Sequence, residues 1–278
     1  MINRIIIMHA GYCTHPERIV AQGGRWKSIK FPAIFAFFEH EFYGNILFDT
    51  GYSESFYAET SRLPFKIYAK LTPVYLKKGE CAAGVLESHG IRPGNIDYII
   101  LSHFHADHIG GLKDFKKARF IYNPIAYAGL MGKTKFTALR KGFLRGLVPE
   151  DFEERSLVPE EKMKVDISGQ LSPFSCGYDL FGDGSIILVD LPGHTKGQLG
   201  ALVRDKEGRR VFFVADAVWQ SKAYKELIRP SRIANIIMDN CDEYMKTLGR
   251  IHEVYKQRPE IKIIPSHCME ELEGEFHG

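Results

Sequence analysis

Several features that would remove a chain from the ordinary globular class are missing. No stretch approaches the ~20 apolar residues of a membrane span. Met1 to Met8 holds one arginine and only three consecutive isoleucines, too short for a secretory apolar segment. Cysteine motifs are absent too: Cys13, Cys81, Cys176, Cys241 and Cys268 are odd in number and show no CxxC spacing. That excludes a disulfide framework and favours a reducing compartment, so a soluble cytoplasmic protein is expected. No Pro/Ser/Gly-rich tract, low-complexity segment or block of like charge divides the 278 residues, and a single domain over 1–278 is expected. The net charge of +3 is too small to argue for nucleic acid. Lys and Arg gather in 113–145, which reads as solvated helix surface.

What is present is an apolar content of 45%, enough for a large core, and one dense polar stretch. In Ile99 to Gly111, three histidines and an aspartate (His103, His105, Asp107, His108) fall within six residues, directly after an apolar β-type run and before two glycines. Residues two apart on extended chain point the same way, so His103 and His105 can grip one ion. Asp107 and His108 are consecutive and face elsewhere, which suits a second ion. Only eleven histidines occur in the chain, so this clustering reads as a metal site.

A simple grammar surrounds it. Strands are expected at Arg4–His9, Pro32–Phe38, Gly44–Phe48, Tyr98–Leu101, Arg119–Tyr122, Ile186–Leu191, Arg210–Val214 and Ile261–Ile264, with helices at Cys81–His89, Pro124 to about Leu147 and Ile236–Lys256. The strand Gly44–Phe48 ends in Asp49, which either caps a turn or orients a metal-bound histidine. Later strands end in His194, Asp216 and His267. Ligands gathered at strand ends suit a β-scaffolded site, because strands fix geometry while loops supply chemistry. Seven candidates exceed what one tetrahedral zinc accepts. Imidazole and carboxylate without thiolate suit two divalent ions, zinc first, with Mn, Fe or Co as alternatives. Cys268, beside His267, reads as a buried structural thiol. Segments 52–80, rich in aromatics and lysine, and 124–180, rich in turns, are the candidate lids or insertions. The aromatic segment could serve as a flap, a homodimer contact or a membrane-surface patch.

The pattern His103-x-His105-x-Asp107-His108, followed in order by His194, Asp216 and His267, resembles the metallo-β-lactamase superfamily. The resemblance covers nearly the whole chain and implies a four-layer αββα sandwich with a dinuclear site at one edge. It implies that His103, His105 and His194 hold one metal, that Asp107, His108 and His267 hold the other, and that Asp216 bridges. Within the superfamily the chain looks most like the N-acyl-homoserine lactonases that degrade quorum-sensing signals, through Ser102–Gly111, Asp216-Ala217-Val218, the Tyr224 and Pro230 region and Ser266-His267. Those lactonases usually place a tyrosine three residues after the bridging aspartate. Here that position is Trp219, whose indole can donate a hydrogen bond but supplies no phenol; Tyr224 would substitute only if its loop bends back.

Two cations lower the pKa of a shared water towards ~7 and give a hydroxide at neutral pH. The expected reaction is attack of that metal-bridging hydroxide on the carbonyl of a lactone or ester, a small-molecule substrate. Asp107, or a metal-bound water it orients, is the candidate proton donor to the leaving group. The rival readings are a phosphodiesterase or nuclease, a thioesterase (although Gln198 stands where a glyoxalase-type turn has its second histidine), and a non-haem iron oxidoreductase on the same scaffold.

Overall fold

The computed structural model describes residues 1–272 and the backbone of Phe276–His277. In chain order the strands are β1 (Ile2–Pro16), β2 (Ser28–His40), β3 (Gly44–Phe48), β4 (Val74–Tyr75), β5 (Ile96–Ile100), β6 (Arg119–Ile121), β7 (Ser156–Leu157), β8 (Lys164–Asp166), β9 (Cys176–Asp179), β10 (Ile186–Asp190), β11 (Leu199–Arg204), β12 (Arg210–Ala215), β13 (Ile261–Pro265) and β14 (Phe276–His277). They form two mixed sheets. The first runs β14-β1-β2-β3-β5-β6-β7, with β4 also on β1; the second runs β13-β12-β11-β10-β9-β8. Parallel pairing joins β3 to β5, β5 to β6 and β6 to β7 in one sheet, and β12 to β13 in the other.

Side-chain alternation explains why the strands read as nearly continuous apolar runs. Ile5 and Ile7 of β1, Ile34, Ala36 and Phe38 of β2, and Ile46 and Phe48 of β3 share one cluster with Leu188, Ala201, Val211 and Phe213 of the second sheet. Their neighbours Ile6, Met8, Phe35, Phe37 and Leu47 belong to the other cluster, with helical residues. Each central strand is thus buried on both faces, one against the opposite sheet and one against helices. The helix Cys241–Gln257 buries Tyr244, Leu248, Ile251 and Val254 beside Phe212, Val214 and Ile263 of the second sheet, while Ala82, Leu86, Leu112 and Phe115 cover the first. The result is helix, sheet, sheet, helix, as expected.

Differences from the sequence expectations have local causes. The last long helix starts at Cys241 and not near Ile236, because the Asn240 side chain accepts from the amides of Asp242 and Glu243 and caps it there (3.0 and 3.1 Å). The helical stretch 124–147 is three short pieces, Pro124–Ala128, Lys135–Arg140 and a 3₁₀ turn Arg145–Leu147. Gly132 (φ +73°) and Gly142 (φ +61°) break it with left-handed backbone. Strand β11 lies outside the expected strands, since Gly200 and Ala201 dilute its β signal.

Phe213 packs on Phe38 and Phe48 across the sheet interface, with ring centroids 5.2 and 5.6 Å away. Replacing it by alanine removes both contacts and leaves a cavity between two rigid sheets. Phe213→Ala is expected to lower the unfolding free energy by ~3–5 kcal/mol, measured by urea denaturation of the metal-free protein.

Candidate metal centre

Four strand ends in two sheets deliver the candidate ligands. After β5 the chain passes through Leu101 and Ser102 to His103 and His105, then into a one-turn helix, Ala106–Ile109, that carries Asp107 and His108. His194 follows β10, Asp216 follows β12 and His267 follows β13. The Pro192-Gly193-His194 turn lies flat on the last helix: a Cβ on Gly193 (φ +132°) would stand 2.3 Å from the Tyr244 backbone. Asn240 N–H donates to the Gly193 carbonyl (2.9 Å) and the Thr247 hydroxyl to that of Pro192 (2.7 Å). Only glycine lets the backbone approach so closely, and the approach aims His194.

The seven side chains are buried and form two groups, His103, His105, His194 and Asp216 in one and Asp107, His108 and His267 in the other, with the ligand atoms of each group within 4.8 Å of one another. Asp216 stands between them. Its Oδ2 faces His194 Nε2 (3.2 Å) and His103 Nε2 (3.9 Å). Its Oδ1 faces His267 Nε2 (3.1 Å) and His108 Nε2 (3.4 Å). Asp107 Oδ2 lies 3.5 Å from His267 Nε2 and 3.7 Å from His108 Nε2. His105 turns Nδ1 to His194 Nε2, 3.0 Å away.

These residues fit a pair of cations. His103 Nε2, His108 Nε2 and Asp216 Oδ1 are buried without a hydrogen-bond partner, which is costly in a closed protein and is relieved by coordination. Burial and the neighbouring imidazoles hold His103 and His105 well below the usual histidine range, so both are neutral and offer lone pairs. Burial opposes the charged form of His108, but the Asp49, Asp107 and Asp216 carboxylates outweigh it and raise its pKa. His267 is raised in the same way, mainly by Asp216. Burial works against ionised Asp216, yet His267, His108 and His194 hold its carboxyl well below the usual range.

Contacts behind the ligands set their orientation. Asp49 accepts from His108 Nδ1 at 2.7 Å, from the Ser102 amide at 2.8 Å and from the Ser102 hydroxyl at 2.7 Å. Of the two roles open to Asp49, its contacts match orienting the His108 ring. His267 Nδ1 donates to the Pro32 carbonyl (2.8 Å), leaving Nε2 for a metal. Trp219 Nε1 donates to Asp216 Oδ2 (3.1 Å). Tyr224 is placed apart from the ligands: it is buried in the helix Ser221–Glu226, its ring against Tyr255 at 5.5 Å between centroids. Cys268 is a buried thiol donating to the Ser221 hydroxyl (3.3 Å). Three groups outside the sequence-predicted site set feel the charge of Asp107. Burial, followed by the Asp107 charge, pushes up the Cys13 thiol and the Tyr52 and Tyr68 phenols, so all three stay protonated.

An αββα sandwich carrying a two-lobed histidine and aspartate cradle at the ends of strands from both sheets defines a class of metal-binding proteins. The chain belongs to the metallo-beta-lactamase superfamily, whose family model matches residues 38–248. It is 26% identical over 165 residues to the N-acyl homoserine lactonase AttM of Azorhizobium caulinodans, covering 59% of this chain and 57% of that protein. The chain thus spans less than two thirds of that relative's length. It is 25% identical over 233 residues to the N-acyl homoserine lactonase AiiB of Agrobacterium fabrum, covering 82% of this chain and 76% of that one. Among solved structures it is similar to an N-acyl homoserine lactone hydrolase determined with N-hexanoyl-L-homoserine at its catalytic metal center, with TM-score 0.75, 18% identity, and 98% of this chain and 95% of that chain covered.

Removing the Asp49 carboxylate frees the His108 ring and leaves its Nδ1 unpaired. Asp49→Ala is expected to weaken binding of one of two ions by ~10–100-fold while the other is retained, as read by zinc titration against a chromophoric chelator. Equal loss at both ions would contradict the assignment of His108 to a single lobe.

Proposed function

We propose that this chain is a dinuclear metal-dependent hydrolase that opens lactones, with N-acyl homoserine lactones as its substrate class and zinc as its metal. The observation that carries the dinuclear reading is the division of Asp216, one oxygen toward His103 and His194 and the other toward His108 and His267. The names of its relatives AttM and AiiB support the substrate class. Imidazole and carboxylate donors without thiolate support zinc.

When bound, the two divalent ions supply hydroxide at neutral pH and polarise a carbonyl oxygen. The chain's own residues do the rest. His103, His105 and His194 would hold one ion and Asp107, His108 and His267 the other, with Asp216 facing both groups. Asp49 keeps the His108 ring in one tautomer with Nε2 turned inward. Asp107 would take up the proton lost by the attacking water and pass it to the departing alkoxide, so that its carboxylate is ionised again at the end. In this reading residues 1–278 act as one catalytic unit, and segments 52–80 and 124–180 are its walls. Apolar and charged side chains of 58–65 and 127–154, Phe65, Tyr127, Phe143, Lys135 and Arg145 among them, line a cleft of about 1220 Å³ whose lining includes none of the seven candidate ligands. Gly142 stands beside His105, where a Cβ would come within 2.8 Å of the ring. Five unpaired cysteines support a reducing compartment, the cytoplasm. Among the described residues no helix is long and apolar enough to cross a membrane.

Lactone opening releases a proton whatever the acyl group, so a pH-stat screen tests the reading directly. Protein holding two equivalents of zinc should consume base on N-acyl homoserine lactones, fall silent on chelation and recover when zinc is returned. Turnover confined to phosphodiesters would overturn the substrate class. A second variant addresses the bridge. Asp216→Asn should lower metal occupancy and kcat/KM together, with metal affinity down ~10–100-fold; two tightly held ions at full rate would remove the bridging role.

A further inference from the structure

Trp219 touches the metal centre at three points. Its indole N–H donates to Asp216 Oδ2 at 3.1 Å. Its ring stands edge-on to His194, with centroids 5.8 Å apart and planes at 83°. Its backbone carbonyl accepts from the amide of His267 at 3.2 Å. One residue therefore joins the loops that follow β10, β12 and β13. Away from the ligands it walls a cavity of about 150 Å³ with Val20, Ala223, Ile228 and Tyr244; it is only 8% exposed, so the ring has little room to turn.

We propose that Trp219 is a positioning residue for the metal centre, its indole N–H fixing the rotation of the Asp216 carboxylate so that each oxygen faces one lobe. The terminal torsion of an aspartate is broad and roughly two-fold. Without a fixed donor the carboxylate can rock and present both oxygens poorly to two ions at once. An N–H on Oδ2 removes that freedom and still leaves that oxygen a lone pair for a metal. An indole is a donor only: it holds the carboxylate but cannot itself ligate the ion or exchange a proton with the substrate. That separates Trp219 from a catalytic phenol. The proposal rests on the dinuclear reading but not on the identity of the substrate.

Trp219→Phe tests it, because phenylalanine keeps a ring beside His194 and the backbone acceptor for His267 and removes the single N–H. Zinc affinity, read by competition with a chromophoric chelator, should fall ~10–100-fold; wild-type affinity for both ions would overturn the proposal. A second measurement needs no change at the site. The chain has two tryptophans, and Trp26 is 71% exposed, so Trp26→Phe leaves Trp219 as the sole indole. Its emission should titrate with added zinc and saturate as the ions load. A flat signal through full loading would count against the proposal even if Trp219→Phe failed to fold. Neither readout depends on turnover, so an absence of lactonase activity would leave this result standing or falling separately.

Discussion

The centre depends on one buried carboxylate placed between two sets of imidazoles. Asp216 is 3% exposed and faces four ring nitrogens at 3.1–3.9 Å. An ionised carboxylate in such a position costs several kcal/mol unless positive charge surrounds it. In the metal-free chain part of that charge is supplied by protons, since His108 and His267 are both raised. Their second-lobe partner Asp107 adds to the demand. Divalent ions held by these residues would answer it with more charge. The same electrostatic requirement is thus met in two ways. The lobe that contains Asp107 is accordingly the one whose imidazoles are raised, while His103 and His105 are lowered.

Holding that arrangement requires a scaffold that does not yield. The ligand loops hang from strands whose two faces are both packed, so no strand can slip by a residue without turning an apolar face inside out. The rigidity allows strained backbone at strand ends. Asp49 (φ +60°) and Ala215 (φ +47°) are left-handed without being glycine, at a cost of about 1–3 kcal/mol each. Both occupy the step between a strand and a functional side chain: Asp49 itself reaches His108, and Ala215 turns the chain to present Asp216. Strain here aims side chains that a relaxed strand continuation would send to the opposite face.

How much of this was readable from residues alone follows from the range over which each signal acts. The seven histidine and aspartate side chains that the fold gathers into two groups were readable, because such clusters draw on few residue types and these recur at strand ends. The layered fold was readable through the short apolar runs, although β11, thinned by Gly200 and Ala201, was not. The breaks at Gly132 and Gly142 stayed hidden because lone glycines occur inside helices as well as at their ends. Asp49 carried two roles equally until the 2.7 Å contact to His108 Nδ1 decided between them. Tyr52 and Tyr68 were legible only as part of the aromatic segment offered as a flap, and Cys13 only as an unpaired cysteine; that all three feel the Asp107 charge was not, since no local pattern encodes a meeting across layers. The Trp219 position was readable as a departure from the lactonase pattern; its bond to Asp216 was not.

The charge map around the centre bears on the choice between lactone and phosphodiester. The strongest fields on Asp216 come from His267, His108 and His194, and the groups beside Asp107 feel chiefly Asp107 itself. No lysine or arginine is among those sources, but Arg62, Lys113, Lys133, Lys135 and Arg145 line the cleft formed by 58–65 and 127–154. A phosphodiester carries its negative charge throughout the reaction, and sites that bind one usually place arginine or lysine around it. A lactone arrives neutral and develops charge only at the carbonyl, next to the ions. Under the proposed function the uncharged thiol and phenols and the donor-only indole suit that neutral substrate, whereas the lysines and arginines of the cleft are the feature a phosphodiester would use.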